Sequence, residues 1–159
     1  MDKKLKTSCG IIIVNELNEI FMGHSTGNSF YDLPKGLLED NELPIDCAIR
    51  ECEEETSLVL NHESLIDLGS FKYNKEKDLH LFLTFKNKDS ISLDALVCKS
   101  MFEHYLSKKL LPEVDGFKWI PISSIESKCA KSMAKLLTIL INDNSLNINE
   151  YKNKSTLKI

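Results

Sequence analysis

Residues 36–58 read G-L-L-E-D-N-E-L-P-I-D-C-A-I-R-E-C-E-E-E-T-S-L, in which Gly36 is followed by Glu42 and then by Arg50, Glu51, Glu54 and Glu55. On a helix each residue turns by about 100°. Ile45, Ala48, Ile49 and Cys52 then form the face expected to be buried, while Glu51, Glu54 and Glu55 share a separate arc. Three carboxylates at i, i+3 and i+4 repel one another, at roughly 0.2–0.5 kcal/mol per pair. A divalent cation turns that repulsion into binding, because hard oxygen ligands together with substrate phosphates are the usual seat of Mg²⁺. Arg50 is the only arginine in a chain with twenty Lys and Arg. A position that refuses lysine calls for a planar, bidentate donor, with Glu42 across the loop or Glu54 one turn on as its partner.

The pattern resembles the Nudix box, G-x5-E-x7-R-E-U-x-E-E-x-G-U with U a bulky apolar residue. Gly36, Glu42, Arg50, Glu51, Glu54, Glu55 and Leu58 match it at the family's spacing. Cys52 fills a U position, which suits a buried thiol acting as a small hydrophobe. Ser57 stands where the family has Gly. That position ends the helix in the left-handed region, where a non-glycine residue costs roughly 1–2 kcal/mol, so Ser57→Gly is expected to raise the melting temperature. The resemblance implies an α/β/α sandwich with a mixed β-sheet and a pyrophosphohydrolase activity. It also implies one to three Mg²⁺ or Mn²⁺ ions on Glu51, Glu54 and Glu55 with help from the Gly36 carbonyl, and Glu54 or Glu55 as the general base.

A second stretch, P-E-V-D-G-F-K-W-I at residues 112–120, resembles a segment of bacterial RNA pyrophosphohydrolases and related dinucleoside polyphosphate hydrolases. There the Glu is a further metal ligand or base, a role that falls here to Glu113, with Asp115 as the substitute. Y-D-L-P-K-G looks more like the dinucleoside-polyphosphate and diphosphoinositol-polyphosphate branches. Lys35 within it can meet a phosphate as a point charge. Rings available to stack on a base are Phe30, Tyr31, Tyr73, Phe102 and Tyr105, with Tyr31 and Tyr73 as the substrate-binding candidates.

These residues need a scaffold. At 159 residues one domain is expected, here spanning 1–142 with a polar, poorly ordered tail at 143–159. Residues 7–14, ending in I-I-I-V, read as a buried strand, and 19–24 as its hairpin partner. Pro34 and Gly36 break regular structure, and Pro44 suits the first helical turn. Residues 65–73 and 79–86 read as a second hairpin, with Leu79, Leu81, Leu83 and Phe85 on one face and His80 and Phe82 on the other. Residues 87–115 read as a lid or substrate loop. A strand at 116–120, a helical turn at 122–126 and an amphipathic helix through Ala130, Met133, Leu137, Leu140 and Ile141 close the chain.

The net charge of −4 leaves no basic footprint for long nucleic-acid tracts, so DNA is not expected as a partner. Five scattered cysteines without a C-x-x-C pair suggest reduced thiols in the cytoplasm, and no segment reaches transmembrane length. The expected substrates are nucleotide-type small molecules with linked pyrophosphates, such as Ap3A, Ap4A or ADP-ribose-like compounds. An RNA 5′ end is the alternative, and a non-catalytic nucleotide-binding module the next. Monomer and homodimer both fit.

Overall fold

The run Ile11–Val14 lies in strand β1 (Lys6–Val14), whose last seven residues are all buried. Burial on both faces is why the strand reads as a continuous apolar run instead of an alternating one. Along one side it pairs in parallel, over its whole length, with β6 (Lys77–Phe85). Its other side is shared. β2 (Glu19–Ser25) meets it only at Val14, and β4 (Lys35–Leu37) runs antiparallel to Ser8–Gly10. β2 then pairs with β3 (Tyr31–Asp32) and with β9 (Val114–Pro121), while β5 (Ile66–Lys72) closes the far edge against β6. The sheet is mixed, as the resemblance implies. The structure is a computed structural model that describes residues 5–155, with side chains through Tyr151.

The period-2 alternation of β1 and β6 divides the core. Ile12, Val14, Leu79, Leu81 and Leu83 face helix α3 (Lys131–Asn142), which contributes Met133, Leu137 and Leu140. α3 follows a short helix, α2 (Ile125–Lys128). Cys9, Ile11, Ile13 and Phe82 face helix α1 (Pro44–Thr56), which contributes Cys47, Ala48 and Cys52. Each fully buried Ile or Leu in these layers contributes about 1.5–3 kcal/mol over its exposed state, so the sheet gives α1 a rigid backing.

Three expectations change. The buried face of α1 is Cys47, Ala48, Cys52, Glu55 and Thr56. Ile45 and Ile49 are only half-buried, because the helix is turned so that Glu51 and Glu55 look inward. Residues 87–115 are not a plain loop. After two 3₁₀ turns they form a hairpin, β7 (Met101–Glu103) with β8 (Leu110–Pro112). The stretch after Asn142, read as a poorly ordered tail, buries Leu146 at 3 % exposure and forms α4 (Ile148–Ser155), with Tyr151 packed on Phe85. All five cysteines are free thiols. No helix among the described residues is long and apolar enough to cross a membrane.

Candidate active site

The loop before α1 is closed by the lone arginine. Arg50 donates from Nε and Nη2 to both oxygens of Glu42, at 2.8 and 3.0 Å, and from Nη2 to the Leu37 carbonyl at 3.2 Å. This is the bidentate fork that lysine cannot supply, and it holds the Glu42 carboxyl down at a pKa of about 2. Nη1 reaches Glu51 at 2.8 Å and Glu54 at 3.4 Å, so both partners suggested by the spacing are engaged and Glu51 joins them. Glycine at position 36 leaves room for the Glu51 carboxylate, since a Cβ there would stand 2.0 Å from its carboxyl carbon and push that side chain aside. The far end of the helix stops at Ser57, which is left-handed at φ 67°. Ser57 Oγ accepts from the Val97 N–H at 3.1 Å, and Lys99 and Ser100 N–H donate to the Glu54 carbonyl. In this way the segment leading to β7 is pinned to the end of α1.

The acids of α1 diverge in environment. Glu55 is 8 % exposed, and its Oε1 accepts from the Lys35 backbone N–H at 2.9 Å. Burial pushes its pKa up to about 8, against the pull of Lys35 and with added repulsion from Glu51 and Glu113. The Glu51 side chain is 14 % exposed; burial raises its pKa too, opposed by Arg50 and reinforced by Glu54 and Glu113. Glu54, at 45 % exposed, leans outward over a groove lined by Asp46, Ile49, Arg50, Glu53 and Lys99.

Glu55 opens onto a cleft of about 320 Å³ whose lining includes Asp32, Lys35, Phe102, Glu113 and Thr26. Lys35 Nζ pairs with Asp32 at 3.0 Å. A register shift between Gly23 and Ser25 bulges the start of β9 against β2 and decides between the two acids there. Glu113 lines the cleft, its backbone stitched between the Ser100 carbonyl (2.8 Å) and the Thr26 N–H (3.1 Å). Asp115 instead bonds His24 Nδ1 at 2.6 Å. Tyr31 and Tyr73 are not in the lining. Both are half-buried against the α3 side of the core, and Tyr73 borders a separate groove with Lys72, Lys75 and Lys135.

Could these residues hold a divalent ion? As the side chains stand, no three acidic, His or Cys groups among the described residues close around one point, because Arg50 draws Glu51 and Glu54 while Glu55 and Glu113 serve the cleft. Glu51, Glu55 and Glu113 nonetheless repel one another in a partly desolvated place. Like charges gathered where Glu55 and Glu51 are shielded from water are relieved by a cation. All the donors are oxygens, which suits Mg²⁺ or Mn²⁺. The Gly36 carbonyl sits opposite Cys9 in the β1–β4 pairing and accepts a long contact from Cys47 Sγ at 3.6 Å.

Residues 4–138 match the NUDIX domain family. The chain belongs to the Nudix family. It is 35 % identical over 147 residues to an uncharacterized 17.7 kDa protein from the e-segB intergenic region of Enterobacteria phage T4, covering 86 % of this chain and 97 % of the relative. It is 30 % identical over 89 residues to an 8-oxo-dGTP diphosphatase of Proteus vulgaris, covering 54 % and 77 %. Its fold resembles that of a C. elegans Ap4A hydrolase, with TM-score 0.56 and 18 % identity over 86 % of this chain and 98 % of that one. The Nudix box leaves part of the cleft unaccounted for. Ser25 at the end of β2 and Thr26 and Asn28 in the β2–β3 connection line it, and no spacing rule in the sequence marks them.

Proposed function

We propose that the chain hydrolyses a phosphoanhydride bond in compounds in which a nucleoside diphosphate is linked to another group, dinucleoside polyphosphates and ADP-ribose-like molecules in particular. The observation that carries the reading is the pairing, in one cleft, of the buried Glu55 with Glu113 and the Lys35 ammonium. Members of this family generally use divalent metal ions, and Glu51, Glu54 and Glu55, with Glu113 and the Gly36 carbonyl, are the groups that would hold them. A bound ion would neutralise phosphate charge and acidify a water. Lys35 adds a fixed positive charge for a phosphate oxygen. Glu55 is positioned by the Lys35 N–H on one oxygen, which leaves the other for the ion or for a water proton. Glu113 is the exposed acid of the cleft and serves as the proton acceptor when Glu55 is a ligand. Arg50 keeps the loop bearing Gly36 against α1. The five free thiols support a reducing, cytoplasmic setting.

The test is purified protein with Mg²⁺ or Mn²⁺ against Ap3A, Ap4A, ADP-ribose, FAD, nucleoside triphosphates and triphosphorylated RNA, with products separated by chromatography. Turnover of the linked nucleotides is the expected result. Turnover of RNA alone would favour the RNA 5′-end alternative, and saturable nucleotide binding with no product would favour a binding module. Glu55→Gln is expected to lower kcat at least about 10²-fold with the fold intact. Near-wild-type turnover in that variant would remove Glu55 from the chemistry.

A further inference from the structure

From Glu19 to Gly23 the pairing of β2 with β9 keeps one register, with Met22 opposite Lys118 and Gly23 opposite Phe117. Beyond it Ser25 stands opposite Val114. Asp115 and Gly116 therefore face a single residue, His24, which is the two-against-one geometry of a β-bulge. Had the first register continued, Ser25 would meet Asp115. The extra residue slides β9 by one position, so that the Thr26 N–H meets the Glu113 carbonyl. A slip of one residue exchanges which side chains face which side. A side-chain bond spans the bulge. His24 Nδ1 lies 2.6 Å from Asp115 Oδ1, and because a carboxylate only accepts, Nδ1 carries the proton. Tyr31, the cross-strand neighbour of His24 on β3, meets the imidazole edge-on at 5.2 Å and holds its other side.

We propose that His24 and Asp115 are positioning residues, whose bond clamps the bulge and thereby aims Glu113 into the cleft. Neither side chain lines the cleft, whereas Gly23, Ser25, Glu113 and Val114 on either side of the bulge all do. The two side chains are 29 % and 42 % exposed, and an ion pair that open adds little to global stability. Its leverage is local. Glu113 is tied down by the Ser100 carbonyl at 2.8 Å and the Thr26 N–H at 3.1 Å. A bulge free to slide would break the Thr26 bond and carry Asp115 towards the place of Glu113. A reacting group misplaced by about 1 Å can lose about 10²-fold in rate. Asp115, the substitute acid of the sequence, thus acts on the reaction through Glu113. The inference rests on the hydrolase reading above for the role of Glu113, while the clamp itself is tested without turnover.

The experiment compares the full-length wild type with Asp115→Ala, His24→Ala and Asp115→Asn, which keeps an acceptor for the imidazole N–H. Amide hydrogen exchange without metal or substrate is expected to quicken about 5-fold or more at Thr26 and Glu113 in both alanine variants. Amides of β1 and α1, and the melting temperature, should hold, and Asp115→Asn should restore slow exchange. With Mg²⁺ and a linked nucleotide, Asp115→Ala should lower kcat about 10-fold or more at unchanged KM. In a Glu113→Gln background the same change should alter the remaining kcat less than about 2-fold, because a residue acting through Glu113 has nothing left to aim. Unchanged exchange in the alanine variants would overturn the clamp, as would an equal loss of kcat in the presence and absence of Glu113. Exchange responding as described in a protein that turns over no substrate would uphold the clamp and sink the hydrolase reading. Turnover that Asp115→Ala leaves untouched would do the reverse.

Discussion

Burial lifts Glu55 to a pKa of about 8, while an unstructured Glu titrates near 4.5. Between those values the folded, metal-free chain keeps a proton that the unfolded chain has already released. Stability therefore falls as pH rises through that interval and levels off above it. Glu55→Gln removes the loss. In EDTA the variant is expected to exceed wild type by more than about 1 kcal/mol in urea unfolding at pH 8, with the gap closing near pH 4.5. Added Mg²⁺ should then stabilise wild type and leave the variant unmoved. A gap that is the same at both pH values would mean that Glu55 is not the buried acid described above. Glu42 has the opposite sign. Its pKa, depressed to about 2 chiefly by Arg50, contributes stability that is present above about 4.5 and lost as pH falls towards 2.

At the scale of elements, α1 is held at both ends by side chains that the sequence points to. Ser57 occupies the left-handed position that the Gly-to-Ser departure marks. Its hydroxyl also has a task, accepting from Val97 N–H. Ser57→Gly relieves roughly 1–2 kcal/mol of backbone strain and gives up two hydrogen bonds, one donated to the neighbouring Thr56 carbonyl and one accepted from exposed Val97, whose N–H can turn to water. The expected outcome is a rise in Tm of a few degrees, with faster hydrogen exchange at Val97. A fall in Tm would show the pinned segment to be the stronger effect. Arg50, unique in composition, announces the Glu42 fork, and period-2 alternation announces β6. Periodicity misleads on α1 itself, because a helix that buries carboxylates hides its inner face from any hydrophobic count. The β7–β8 hairpin is invisible for a different reason: its strands are three residues long and bury none of them fully, so no alternation develops. Phe102 and Thr26 reach the cleft from segments far apart in sequence. Only the register shift in β9 separates Glu113 from Asp115.

At the scale of the molecule, the α3 side of the core extends past residue 142. Leu146 joins it and Tyr151 leans on Phe85, although the Asn- and Ser-rich composition of that stretch conceals it. Leu146→Ala is expected to cost about 2–4 kcal/mol in urea unfolding, whereas a dangling tail would register nothing measurable. The central pairing of β1 with β6 joins positions roughly seventy residues apart, and contacts that distant slow folding by the loop they must close. During synthesis the first strand meets β2, β4 and α1 early, but its full-length parallel partner β6 is made only later. The carboxylate helix is made in that interval, ahead of half its wall. A chain cut short before Lys77 would thus leave one whole edge of this strand, and the α3 side of its isoleucines, without cover.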